Sequence, residues 1–218
     1  MHIPDGFLDV FTVAITYTIS LGYGAYALRK AKTFLATEGM ILISVLSAGI
    51  FAAQMLNWPL PGGTSLHFVG GALAGIMLGP WLGFLSIFLV VLIQCLVFHD
   101  GGITALGANT LNMAIISVLV GFLIYKASVK VFGRRRFAYF TGAFFGGWLS
   151  IVLAGAVCGL EIGFSPSFPY GIAVTIPLMT GWHALLGLIE GAITAFTVLY
   201  IIDKAPHYIL SNKEVIMR

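Results

Sequence analysis

The chain has 218 residues, of which 59% are hydrophobic and only 9% charged, with a formal net charge of +3. A soluble domain is roughly half apolar and about a quarter charged, so this composition excludes a water-facing surface over most of the molecule. Mean hydropathy is +1.02; lipid is the implied solvent, and at about 20 apolar residues per crossing the chain has room for about six to eight spans and no separate soluble domain.

The opening residues, MHIPDGF, lack the basic segment of a signal peptide, and the mature chain is expected to begin at Met1. Apolar runs then predict an all-α membrane protein of seven transmembrane helices at 8–28, 35–57, 66–79, 81–98, 109–127, 138–160 and 171–202. Residues 1–218 read as a single transmembrane domain: a short N-terminal segment 1–7, a first helix 8–28, and six further helices over 35–202. Gly79-Pro80 should end the third helix sharply. The last run is long for one span, which implies either a kink at Pro177 or Gly181 or a loop or interfacial stretch at its start. Cys95 and Cys158 lie far apart in apolar runs and read as small buried hydrophobes.

The basic residues fall in three clusters: Arg29, Lys30 and Lys32; Lys126, Lys130 and Arg134 to Arg136; and Lys204, Lys213 and Arg218. With seven spans all three lie on one side, which the positive-inside rule makes cytoplasmic. The N-terminus is then outside and the C-terminus inside. The outer face carries 1–7, 58–66, 99–108 and 161–170, with His2, His67 and His99 at or near it. Small residues recur at helical spacing in helix two (Ser44, Ala48, Ala52), helix three (Gly70 to Gly75) and helix six (Gly142, Gly146, Gly147). Such stripes allow close helix packing in lipid, or, for helix two, docking of a partner subunit.

The N-terminus carries the most specific chemistry. A metal bound to the Met1 amine and the His2 amide nitrogen closes a five-membered ring, and His2 Nδ1 closes a six-membered one. His2 Nε2 points away and cannot. One in-plane position is left, and His67, where the loop 58–66 meets the third helix, is the expected fourth ligand. Four planar nitrogens suit Ni(II) or Cu(II), and less well low-spin Co(II). A histidine at position three would add a second amide and complete the plane alone. Position two leaves the ion dependent on the folded protein, which couples capture to conformation. Ile3 to Gly6 read as a turn aiming the terminus inward, and Asp5 as a group that could orient an imidazole.

Polar residues at the same depth, Gln54, Gln94, Asn109 and Asn112, either bond helix to helix or hold the N-terminal segment and His67. His99-Asp100 reads as a solvated turn or a metal access point. His183 and Glu190, seven residues apart on one helix face, are a backbone-bonded pair, a proton relay or a second ion site.

Several stretches resemble the nickel/cobalt substrate-specific (S) components of energy-coupling factor (ECF) transporters. They are Met1 to Phe7, Phe51 to His67 (FAAQMLNWPLPGGTSLH), Leu78-Gly79-Pro80-Trp81, and Asp100 to Met113 (DGGITALGANTLNM). The resemblance covers most of the chain to about residue 113. It implies a cell-membrane receptor, prokaryotic in setting, that binds Ni(2+) or Co(2+) from outside as transported substrate. Its implied partners are a transmembrane coupling (T) subunit, a pair of cytoplasmic ATPases and, in some relatives, a small auxiliary membrane subunit. The implied metal ligands are Met1, His2 and His67, the implied fold is a six-helix core with an added N-terminal helix, and the Ala48-to-Ala52 stripe resembles the coupling-subunit docking motif. No GxxxxGK[ST] phosphate loop occurs, so ATP hydrolysis is expected from partners, and no catalytic motif suggests an enzyme. The alternative is a proton-coupled secondary permease for a divalent cation using His183 and Glu190, which should show several acidic residues within the spans.

Overall fold

Asp9 starts the first helix: its carboxylate accepts the backbone amides of Phe11 and Thr12, satisfying donors that a helix start leaves without partners. Helix α1 (Val10–Ala31) follows. The computed structural model describes residues 1–32 and 37–213. The expected start of helix two at 35 and the terminal Arg218 lie outside the described residues. Helix α2 (Thr37–Gln54) ends three residues earlier than expected. A two-stranded antiparallel hairpin comes next, β1 (Trp58–Pro59) against β2 (Ser65–Leu66), pairing Trp58 with Leu66 and Pro59 with Ser65. Gly62, at φ 82°, helps turn it.

The third helix was expected over 66–79, but residues 66–70 are not helical; α3 is Gly71–Val97. Within it Gly79 has φ 82° and ψ 175°, a region essentially restricted to glycine. The chain reverses there. A straight helix of this length would reach roughly 40 Å at 1.5 Å per residue, yet His67, just before it, and Gln94, near its far end, both touch His2. A Cβ on Gly83 would also stand 3.0 Å from the Ala74 backbone. The expected break at Gly79-Pro80 is therefore a tight reversal between two helical arms, the first of them short.

The next helix is continuous over Leu106–Phe132, beginning before the expected 109. It comprises α4 (Leu106–Asn109), a widened π segment (Thr110–Ile116) and α5 (Ser117–Phe132). Gly133, at φ 77°, closes it. Helix α6 (Arg136–Phe164) and helix α7 (Ile172–Lys204) follow, then a 3-10 turn (Pro206–Tyr208) and the short α8 (Leu210–Lys213). Helix α7 is unbroken, with Pro177 inside it.

Among the described residues, five helices are long and apolar enough to cross a membrane, and α2 adds a shorter apolar one. Large apolar side chains such as Phe11, Leu123, Phe145 and Phe196 point outward, as they do where lipid is the solvent. The molecule is a multi-pass helical membrane protein.

Glycine sets the closeness of the central helices. A Cβ on Gly146 would stand 3.0 Å from the Gly121 carbonyl, and one on Gly147 2.9 Å from Gly191. The stripes expected in helices three and six are thus internal packing. Ser44, Ala48 and Ala52 on α2 are instead exposed.

Candidate metal centre

The N-terminal segment folds back into the bundle. Met1, His2 and Ile3 are buried, while Pro4, Asp5 and Gly6 form the exposed turn that sends them inward, Gly6 taking φ 86°. Asn109 clamps this segment as a strand would. Its Oδ1 accepts the Ile3 amide at 2.8 Å and its Nδ2 donates to the Ile3 carbonyl at 3.1 Å. The Gly102 amide donates to that same carbonyl at 2.9 Å.

The hairpin brings up the opposite wall. Ser65 Oγ accepts from the Met1 amine at 2.9 Å and from the His2 amide at 3.1 Å; the amine also donates to the Ser65 carbonyl. One residue past the hairpin, the His67 ring stacks on the His2 ring, with centroids 4.3 Å apart. The terminal amine, the second amide and two imidazoles therefore converge in one buried place.

Both rings have their hydrogens fixed by carbonyl oxygens, which only accept. His2 Nε2 donates to Gln94 Oε1 at 3.0 Å, so its Nδ1 carries a lone pair. His67 Nδ1 donates to the Phe68 carbonyl at 2.6 Å, so its Nε2 carries one. His2 Nδ1 and His67 Nε2 are both buried without a hydrogen-bond partner. His2 Nδ1 is the ring nitrogen that the expected chelate uses; the sequence left the choice of His67 nitrogen open.

Burial also keeps the nitrogens unprotonated. It pulls the Met1 ammonium down from 8.0 to about 5, and His2 from 6.5 to about 4, helped by the adjacent terminus; Asp100 pushes both back up. His67 is held well below its ordinary value by burial and by the same neighbours. At neutral pH the donors are free bases.

Of the other residues singled out in the sequence, Gln94 and Asn109 touch the N-terminal segment directly. Gln54 reaches it through the connection after His67: its Nε2 donates to the Val69 carbonyl at 2.7 Å. Asn112 does not reach the site; it donates to Glu161 Oε2 at 2.6 Å. Asp5 does not meet an imidazole. Its Oδ1 accepts from the Thr104 amide at 2.7 Å and hydroxyl at 2.5 Å, because the Gly6 turn points it at the 101–105 loop. The carboxylate beside His2 is Asp100, with Oδ1 3.3 Å from Nδ1.

His183 and Glu190 do not pair with each other. His183 Nδ1 donates to the Met179 carbonyl, and Glu190 accepts the Val69 and Gly70 amides at 2.8 and 2.9 Å. Glu161, assigned to an outer loop from the sequence, is a buried residue of α6. Ser65 and Cys158, whose Sγ lies 3.8 Å from the Met1 carbonyl, carried no signal in the sequence. Both cysteines are free and buried.

The family model described as cobalt uptake substrate-specific transmembrane region matches residues 2–208. The chain belongs to this CbiM family. It is 54% identical to a protein of Archaeoglobus fulgidus that carries the provisional name fused nickel transport protein NikMN, over 96% of this chain and 68% of that one. It is 47% identical to a protein of Haloquadratum walsbyi provisionally named as a metal transport protein, over 98% and 95%. A crystal structure of a transition metal transporter superposes with a TM-score of 0.88 at 33% identity, covering the whole of both chains. The chain is thus a membrane protein of a metal-transport family.

Proposed function

We propose that the chain is the substrate-capturing component of an ATP-driven nickel or cobalt importer of the ECF type. It holds the divalent ion through the Met1 amine, the His2 amide and Nδ1, and His67 Nε2. The observation that carries this reading is the convergence of four nitrogens in one buried pocket, two of them ring nitrogens with lone pairs and no partner. The names of the relatives, nickel in one and metal in the other, agree with it.

Binding exchanges one proton for the ion. The amine and both imidazoles are already free bases, so the proton that must leave is the one on the His2 amide, which goes to solvent. Gln94 and the Phe68 carbonyl keep each ring turned so that the needed nitrogen faces inward, the usual work of groups behind a metal ligand. Ser65 holds the amine and amide together before the ion arrives.

The proposed topology has seven passes, the short arm of α3 being the third, with the pocket outside and the three basic clusters in the cytoplasm. A coupling subunit docks on the exposed Ser44, Ala48 and Ala52 face of α2, and cytoplasmic ATPases supply the energy.

The test is nickel binding by calorimetry on protein with its native N-terminus. One residue added before Met1, His2→Ala and His67→Ala are each expected to abolish high-affinity binding. The bound Ni(II) is expected to be yellow and diamagnetic, as square-planar complexes are. Unchanged binding by the extended protein would falsify the chelate.

A further inference from the structure

His2 Nδ1 and Asp100 Oδ1 stand 3.3 Å apart. With the ring hydrogen committed to Gln94, both atoms are acceptors. Two acceptors facing each other in a buried place repel unless something positive lies beside them. The chain goes to some trouble to hold them there. His99 takes φ 54°, a left-handed conformation unusual for a residue with a side chain, and this turns Asp100 back toward the pocket. The Asp100 amide donates to the Gln94 carbonyl at 3.0 Å, tying it to the residue that orients His2. Asn57 Nδ2 contacts both carboxylate oxygens, at 3.3 and 3.2 Å.

Five other carboxylates are engaged elsewhere: Asp5 on Thr104, Asp9 at the start of α1, Glu161 on Asn112, Glu190 on the Val69 and Gly70 amides, and Asp203 on Arg136. The Asp100 side chain is 21% exposed, against 2% for that of His2. It stands between solvent and the pocket.

We propose that Asp100 is the charge-balancing and receiving group for the captured ion: its carboxylate neutralises the positive charge that a divalent cation carries into the N-terminal pocket and draws the cation in from solvent. The argument rests on the chelate proposed above. A divalent ion bound to one deprotonated amide and three neutral nitrogens has a net charge of one, and an uncompensated buried charge is costly. One carboxylate beside it makes the site neutral. The same balance disfavours a monovalent ion, which would leave a net negative site.

The experiment uses the full chain with its native N-terminus, NiCl2 as probe, calorimetry for affinity and stopped-flow absorbance for association at several salt concentrations. Asp100→Asn is expected to bind nickel about 10- to 100-fold more weakly, with the visible band unshifted because all four nitrogens remain. Its metal-free unfolding temperature should equal or exceed the parent's, since the amide relieves the repulsion with His2 Nδ1. Its association rate should lose most of the salt dependence seen in the parent, a readout that a purely structural role would leave alone. Asp100→Glu should recover most of the affinity. Parental affinity and salt dependence in Asp100→Asn would overturn the proposal, and so would a shifted band, which would make Asp100 a group that positions the ring. The N-terminally extended protein, measured alongside, separates the two levels: if it binds nickel normally, the chelate itself has failed.

Discussion

At the scale of single residues, the N-terminal segment is held by side chains that imitate backbone. Asn109 bonds both polar groups of Ile3, and Asp5 bonds the amide and hydroxyl of Thr104. The Thr104 bonds hold the Asp5 carboxyl below its ordinary value of 3.8. A carboxyl lowered in the native state stabilises that state above its unfolded value and loses the contribution as pH falls through the lower native one. Thermal unfolding of the parent should therefore weaken below about pH 4, and Asp5→Asn should show a shallower acid dependence in the same scans. The chelating potential of Met1 and His2 was legible in the sequence because chelate-ring closure depends on bonds within a residue or two; His67 was singled out by its place after the 58–66 loop, and its ring does stack on that of His2. The part played by Asp5 was not. The direction of its side chain is fixed by the Gly6 turn and by the distant 101–105 loop, and no local pattern encodes either. Ser65 was missed for the same reason, and Asp100, read as a solvated turn or a metal access point, could not be placed beside His2: each reaches His2 only after a chain reversal.

At the scale of elements, the decisive feature is the reversal at Gly79. It lets one stretch of sequence supply two walls of the pocket, His67 from the connection before α3 and Gln94 from its second arm. The Gly-Pro pair announced a break, and the break is there. Hydropathy could not show that the first arm begins only at Gly71, because Leu66 to Val69 are as apolar as a helix. They are drawn out of helical form by pairing in β2 and by bonds from Gln54 and Glu190. The φ of 82° with extended ψ at Gly79 costs a residue with a Cβ about 1–3 kcal/mol. Gly79→Ala is therefore expected to lower stability by that amount and to weaken nickel binding as the two walls drift apart. Denaturant unfolding in detergent, paired with calorimetry, measures both; a fully stable variant would mean that the turn tolerates a side chain.

At the scale of the whole molecule, the pocket is where elements distant in sequence are stitched together. The N-terminus reaches α4 through Asn109, the second arm of α3 through Gln94, the connection before α3 through His67, and α6 through Cys158. Just after His67, Gln54 at the end of α2 holds the Val69 carbonyl, and Glu190 in the middle of α7 holds the Val69 and Gly70 amides. An ion that fixes His67 therefore also fixes the ends of a chain of contacts running from α7 to the exposed face of α2. The sequence left Glu190 open as a backbone-bonded or structural residue, a proton relay or a second ion site, and the backbone-bonded reading is the one its contacts match. The structure gives it a mechanical role, since both its oxygens are spent on backbone amides. Removing it leaves two buried N–H groups unpaired, at about 1–3 kcal/mol each. Glu190→Ala is expected to lose stability on that scale and to bind nickel more weakly, although no atom of Glu190 is a proposed ligand. Glu190→Gln, which keeps one acceptor oxygen, should fall between. Thermal unfolding with and without nickel would show it: a clamp makes metal-induced stabilisation shrink in the order parent, Gln, Ala, whereas a proton carrier would leave binding intact in both variants and affect only transport.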